Sequence, residues 1–97
     1  VYGSHATKEK TYIGKVTNYF SKISVAEILV ETGELSVGDD ILIIGPNTGA
    51  IEMTVPEVRV DLNPVKTAVK GVYCSIPLAS DVKLHRSEKV YAWRDKP

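Results

Sequence analysis

The 97-residue sequence predicts an all-β fold: a small, closed, six-stranded antiparallel barrel with Greek-key-like connections. Three observations predict it. Short runs of apolar and β-branched residues are separated by Gly, Pro, Asn and Asp at turn spacing. Almost none of the chain carries a helical period. The inward parity reverses once, between Val55 and Val58, as it does where a strand bends around a small barrel.

The strands follow in order. Residues 12–20 are β-branched and aromatic, with Gly14 marking a bend or a close approach. After the short connection Ser21-Lys22, residues 25–30 form a second strand, and 31–34 are a polar loop. In residues 33–45, Leu35 and Val37 alternate with polar neighbours and point inward. Gly38-Asp39 is a turn, and 41–44 is a buried third strand. Residues 45–49, Gly-Pro-Asn-Thr-Gly, concentrate turn formers and make a hairpin loop. The fourth strand is long: Ile51, Met53 and Val55 share one parity and Val58, Val60 and Leu62 the other, so a bulge is expected at Pro56-Glu57. Asn63-Pro64 ends it, and 65–71 is read as a turn of helix or 3₁₀ segment closed by Gly71. Residues 72–76 are the fifth strand. A loop over 77–81 and an irregular polar run over 83–88 lead to the closing strand, 89–93, and a fraying tail.

Length and composition bound the function classes. The chain fits one core, so residues 6–97 are expected to form a single domain. Gly3-Ser4-His5 sets residues 1–5 apart as the remnant of a purification tag. Twelve basic and twelve acidic side chains cancel, which removes any overall attraction to nucleic acid or to an anionic membrane. No apolar run nears the roughly 20 residues that span a bilayer, so no membrane partner is expected. Cys74 is the only cysteine, so no internal disulfide forms and a reducing, cytoplasmic compartment is expected. It shares a parity with Val72 and Ile76 and reads as a small buried hydrophobe.

No catalytic residue, cofactor site or metal site emerges. His85 lacks converging ligands, and neither zinc spacing nor HExxH is present. There is no GxSxG elbow, GxGxxG or Walker pattern. Asp39-Asp40 precedes a strand, where Asp bonds its own backbone. The candidate interaction surface is Lys15, Tyr19, Lys22, Arg59 and Asp61. Aromatics beside a base near a strand end can stack on single-stranded nucleic acid, whereas the plainer reading buries Phe20 in the core and leaves the charges to solvate an outer face.

The pattern Gly33-x-Leu35-x-Val37-Gly38-Asp39-x-Ile41, followed by Gly45, Val58, Pro64-Val65, Ala68 and Gly71, resembles the second domain of elongation factor Tu and related translation-protein barrels. It departs from them at Val72, where those factors often carry Asp after the glycine. More specifically, residues 12–20, Val25-Ala26-Glu27, the 45–49 turn, residues 59–65 and the run 86–91 resemble the C-terminal barrel of the U32 family of collagenase-like peptidases. That resemblance implies a non-catalytic accessory C-terminal domain, with no family catalytic residue to carry over. Its expected partners are an upstream catalytic domain of the same polypeptide and a protein substrate. Similar proteins are assigned either to proteolysis or to RNA hydroxylation, so family likeness leaves the parent's chemistry open. The alternative is an RNA-binding barrel used like the elongation-factor domain, with Lys15, Lys22 and Arg59 as contacts. A free-standing enzyme has the least support, because no nucleophile, base and oxyanion donors come together.

Overall fold

The computed structural model describes residues 8–46, 49–79, 82 and 84–95, which are all β and turn. Residues 1–7, which include the expected tag remnant, Asn47-Thr48 of the hairpin loop, Ser80, Asp81 and Lys83 of the later loops, and the last two residues of the tail lie outside them. Among the described residues ten strands form: β1 Lys8–Phe20, β2 Val25–Val30, β3 Glu34–Ser36, β4 Asp40–Gly45, β5 Gly49–Thr54, β6 Val58–Val60, β7 Asn63–Val65, β8 Thr67–Val69, β9 Tyr73–Pro77 and β10 Lys89–Asp95. Eight make one antiparallel sheet in the order β5-β4-β10-β1-β2-β9-β6-β7, and β3 pairs with β8 in a second. β10 lies out of chain order, between β4 and β1. Among the described residues no ladder joins β5 to β7.

β1 is the spine, bonded to β10 along one edge and β2 along the other. Its 13 residues could not stay regular and still wrap a core, and two register shifts bend it: one between Tyr12 and Gly14 on the β10 side, one between Val16 and Asn18 on the β2 side. A bulge inserts one residue and reverses the inward parity. Ile13 and Gly14 are consequently both buried. The carbonyl of Ile13 accepts the N–H groups of Glu31 (2.8 Å) and Thr32 (3.0 Å), which fixes the chain as it leaves β2. Gly14 is required by space: a Cβ there would strike the Leu29 carbonyl oxygen of the neighbouring strand.

The core follows from strict alternation where the strands are regular. Ala26, Ile28 and Val30 of β2, Ile41 and Ile43 of β4, and Cys74 and Ile76 of β9 are buried, with polar or half-buried neighbours between them. They join Val16, Val90 and Leu35 in one apolar cluster.

Several expectations need correction. Among the described residues there are ten strands rather than six, because three-residue pairings such as β3 with β8 are too short to show a period in sequence. The expected helical turn over 65–71 is instead the end of β7 and all of β8. Val65, Ala68 and Val69 imitate helical spacing, yet Ala68 is buried opposite Leu35 while Val69 is exposed. Gly71 keeps its punctuating role with φ +90°, and the Val72 N–H closes the turn on the Val69 carbonyl at 3.2 Å. The anticipated bulge at Pro56-Glu57 is a full break. β5 ends at Thr54 beside β4, and the chain crosses to pair as β6 with β7 and β9, Val55 and Val58 both being buried. Val37 does not join Leu35 inside. It is 45% exposed because the chain turns there, the Asp39 N–H donating to the Ser36 carbonyl at 3.1 Å. Asn63-Pro64 does not end a strand but opens β7.

Gly14→Ala is expected to destabilise the domain by about 2–3 kcal/mol, since backbone rather than a flexible side chain must yield. Urea denaturation monitored by Trp93 fluorescence checks this, and an unchanged midpoint would show that β1 and β2 can separate locally without cost.

Candidate functional site

Two turns at one end of the sheet build a groove. The first joins β1 to β2: the Ile23 N–H donates to the Phe20 carbonyl (3.3 Å), Ser24 takes φ +53°, and the Leu78 N–H holds the Ser24 carbonyl at 2.8 Å. Phe20 lies opposite Val25, which lies opposite Pro77, so these three form one row across the sheet. The second turn joins β6 to β7 through only two residues, Asp61 (φ 53°) and Leu62 (φ 69°), between the paired Val60 and Asn63. Two central residues with positive φ define a type I′ hairpin, whose usual occupants are Asn and Gly. Leucine has no local polar group to stabilise that conformation, which costs L-residues roughly 1–2 kcal/mol.

Between the turns lies a groove of about 490 Å³, lined by Phe20, Ile23, Val25, Leu62, Ser75 and the Glu57–Arg59 pair. Phe20 is 42% exposed, Ile23 67% and Leu62 87%. Apolar side chains this open and this close to one another are informative in a way that single exposed leucines are not. The polar rim neutralises itself, because Arg59 Nε donates to Glu57 Oε2 at 2.6 Å.

The five residues of the expected surface do not form one site. Arg59 lines the groove, and Asp61 stands in the adjoining turn, where its carbonyl accepts Asn63 Nδ2 at 3.3 Å. Lys22 is exposed in the first turn, between Phe20 and Ile23. Tyr19 turns inward against the core and donates its hydroxyl to the Val82 carbonyl at 2.6 Å, because the second bulge of β1 gives it the buried parity. Lys15 sits mid-strand, half-buried, opposite Leu29 and Lys89. Phe20 is at the surface, not in the core, since the same bulge sends it outward. Ile23 and Leu62 were not singled out from sequence. An isoleucine among the polar residues of a turn was the available signal for the first, whereas Leu62 passes for one more inward position of a strand.

The remaining polar chemistry is structural. Asp39 Oδ2 accepts the Ser36 N–H at 2.9 Å and lies 3.7 Å from Arg94, so the Gly38-Asp39 dipeptide acts as a turn. The Glu88 carboxylate is buried, packs against Gly45, and accepts the His85 N–H at 3.0 Å. Along the β1–β10 pair, Tyr12 and Tyr91 meet edge to face at 5.7 Å, and Lys10 lies 4.9 Å from the Tyr91 ring centre. The Tyr12 hydroxyl donates to Glu31, and that hydrogen bond, with burial and the Glu31 charge, pushes its pKa up to about 12. Cys74 is buried, and burial followed by the charge of Glu27 pushes its thiol up to about 11. Among the described residues no three His, Cys, Asp or Glu side chains converge as metal ligands, and no helix is long and apolar enough to cross a membrane.

No family model matches the sequence. Over 90 residues it is 48% identical to a collagenase of Porphyromonas gingivalis, covering 93% of this chain and 24% of that protein. Over 93 residues it is 34% identical to an uncharacterized protease of Methanocaldococcus jannaschii, covering 96% of this chain and 22% of that one. Its structure matches the C-terminal domain of a candidate U32 peptidase from Geobacillus thermoleovorans with a TM-score of 0.77 at 13% identity, over 88% of this chain and 93% of that one. The chain is homologous to one domain of these collagenase-like proteins and shares the fold of a U32 peptidase's C-terminal domain. The family resemblance carried by residues 12–20, 25–27, 45–49, 59–65 and 86–91 therefore holds. The chain spans about a quarter or less of the length of the curated relatives it matches.

Two outcomes follow from this geometry. Leu62→Gly is expected to raise the stability of the domain by about 1 kcal/mol in urea denaturation, by relieving the positive φ; a loss of stability would mean that Leu62 contributes packing. A thiol whose pKa is raised by folding adds stability that is intact below its unfolded value of 9.0 and is lost as pH climbs toward about 11. The denaturation midpoint should thus fall from pH 9 to 11, and Cys74→Ala should make that fall shallower, with Tyr12 still contributing above pH 10.

Proposed function

We propose that this domain is a non-catalytic accessory C-terminal domain of a collagenase-like peptidase, which packs on an upstream catalytic domain and helps it take up a protein substrate. One observation carries the reading. Nearly the whole chain matches no more than about a quarter of proteins named as a collagenase and a protease, leaving most of each relative for the chemistry. The structural likeness to a separately solved C-terminal domain supports the same position in the parent. We take the curled eight-stranded sheet, with β3 and β8 over the same core, as a barrel of the translation-protein type; the single apolar cluster drawn from both sheets supports this. The cytoplasm is the compartment of choice for a chain whose lone cysteine is buried and unpaired.

Arg59, Lys22 and Asp61 border the groove and are kept as candidate contacts, with Lys15 farther along the outer face of β1 and Tyr19 turned inward. An accessory role acts through remote binding energy, which helps large substrates and not small ones. Deleting the domain from the parent is therefore expected to lower kcat/KM on gelatin about tenfold while sparing a short chromogenic peptide. The isolated chain is expected to hydrolyse neither. Hydrolysis by the isolated chain, or equal activity on gelatin with and without it, overturns the reading.

A further inference from the structure

We infer that the groove between the β1–β2 turn and the β6–β7 turn is the face on which this domain docks against the remainder of its own polypeptide. The inference rests on the accessory-domain reading and adds to it the surface and the kind of contact. Phe20, Ile23 and Leu62 are three of the largest apolar side chains exposed among the described residues, and all three line this one groove with the half-buried Val25. A leucine kept at φ 69° in a turn suited to glycine spends stability to hold an apolar group outward, which a purely structural hairpin has no reason to do.

The chemistry of the rim narrows the occupant. Arg59 is paired with Glu57, and Asp61 faces the same end of the sheet as Lys22, so the groove offers no net charge to a polyanion. What fits is an apolar ridge with neutral flanks. The patch is smaller than a stable free complex uses, since those bury about 1,200–2,000 Å² in total. A tethered neighbour needs far less, because linkage supplies an effective concentration in the millimolar range. The relatives carry more than three quarters of their length outside the matched region, which provides such a neighbour.

The test uses cysteine accessibility in the full-length parent and in the isolated chain. Cys74 is buried in the fold, so a cysteine introduced as Ile23→Cys or Leu62→Cys dominates labelling by a maleimide near neutral pH. Val69→Cys, exposed on β8, serves as the control. In the parent, labelling at positions 23 and 62 is expected to slow at least about tenfold relative to the isolated chain, while position 69 stays unchanged. Equal rates in both proteins at positions 23 and 62 overturn the proposal. Slowing that appears in the isolated chain and grows with its concentration overturns it in favour of a second copy as occupant. Labelling reports contact alone. A parent that protects both positions yet keeps its gelatin activity without the domain would refute the accessory role and leave the docking face standing.

Discussion

The fold depends on how closely two backbones approach at Gly14. There the long first strand lies against the Leu29 carbonyl with no room for a side chain, and immediately before it the extra residue Ile13 turns its carbonyl toward the Glu31 and Thr32 N–H groups. One bend thus sets three things. It carries β1 from β10 across to β2, it gives Val16 the buried parity, and it ties the chain leaving β2 to the point from which β3 starts. A second bulge near Thr17, whose hydroxyl donates to the Glu27 carboxylate at 2.8 Å, resets the parity again before the strand ends. Without the first bend the apolar residues of β2, β4 and β9 would have no common interior.

That second resetting links fold to surface. Tyr19 goes inward and Phe20 outward, so an aromatic ring arrives at the sheet's end beside the turn that carries Ile23. The β6–β7 hairpin approaches the same place from the other side, because β6 pairs with β9 through Arg59 and Ser75, and β9 pairs with β2. The groove is therefore a product of strand order, drawing on residues about forty positions apart. Its walls are turns, but those turns are fixed by ladders rather than left loose.

The legible part of this architecture was local. The span 25–30 reads as a strand from its alternation and forms as Val25–Val30. Gly14 reads as a close approach, and Gly38-Asp39 reads as a turn. The illegible parts were those in which a partner distant in sequence decides the conformation. Residues 67–69 become a strand because Leu35 lies opposite Ala68, which nothing in the run 65–71 announces. Leu62 reads as one more inward position until the two-residue turn between Val60 and Asn63 is known. Phe20 reads as core unless the Thr17 bulge is counted. Parity is a sum along the strand, and one unseen insertion inverts everything after it.

The sheet's last strand has a further consequence. In a hairpin with a two-residue loop, the flanking pair Val60 and Asn63 exchange their backbone bonds, so the next pair, Arg59 and Pro64, point theirs away from each other. Pro64 therefore has its missing N–H on the free side of β7, where a neighbouring molecule would otherwise find a donor. A protein whose sheet ends in an unpaired edge runs the risk of self-templated aggregation. Here the β7 edge is three residues long and blunted at its centre by an imino acid, so strand-by-strand addition of another copy is discouraged on that side of the sheet.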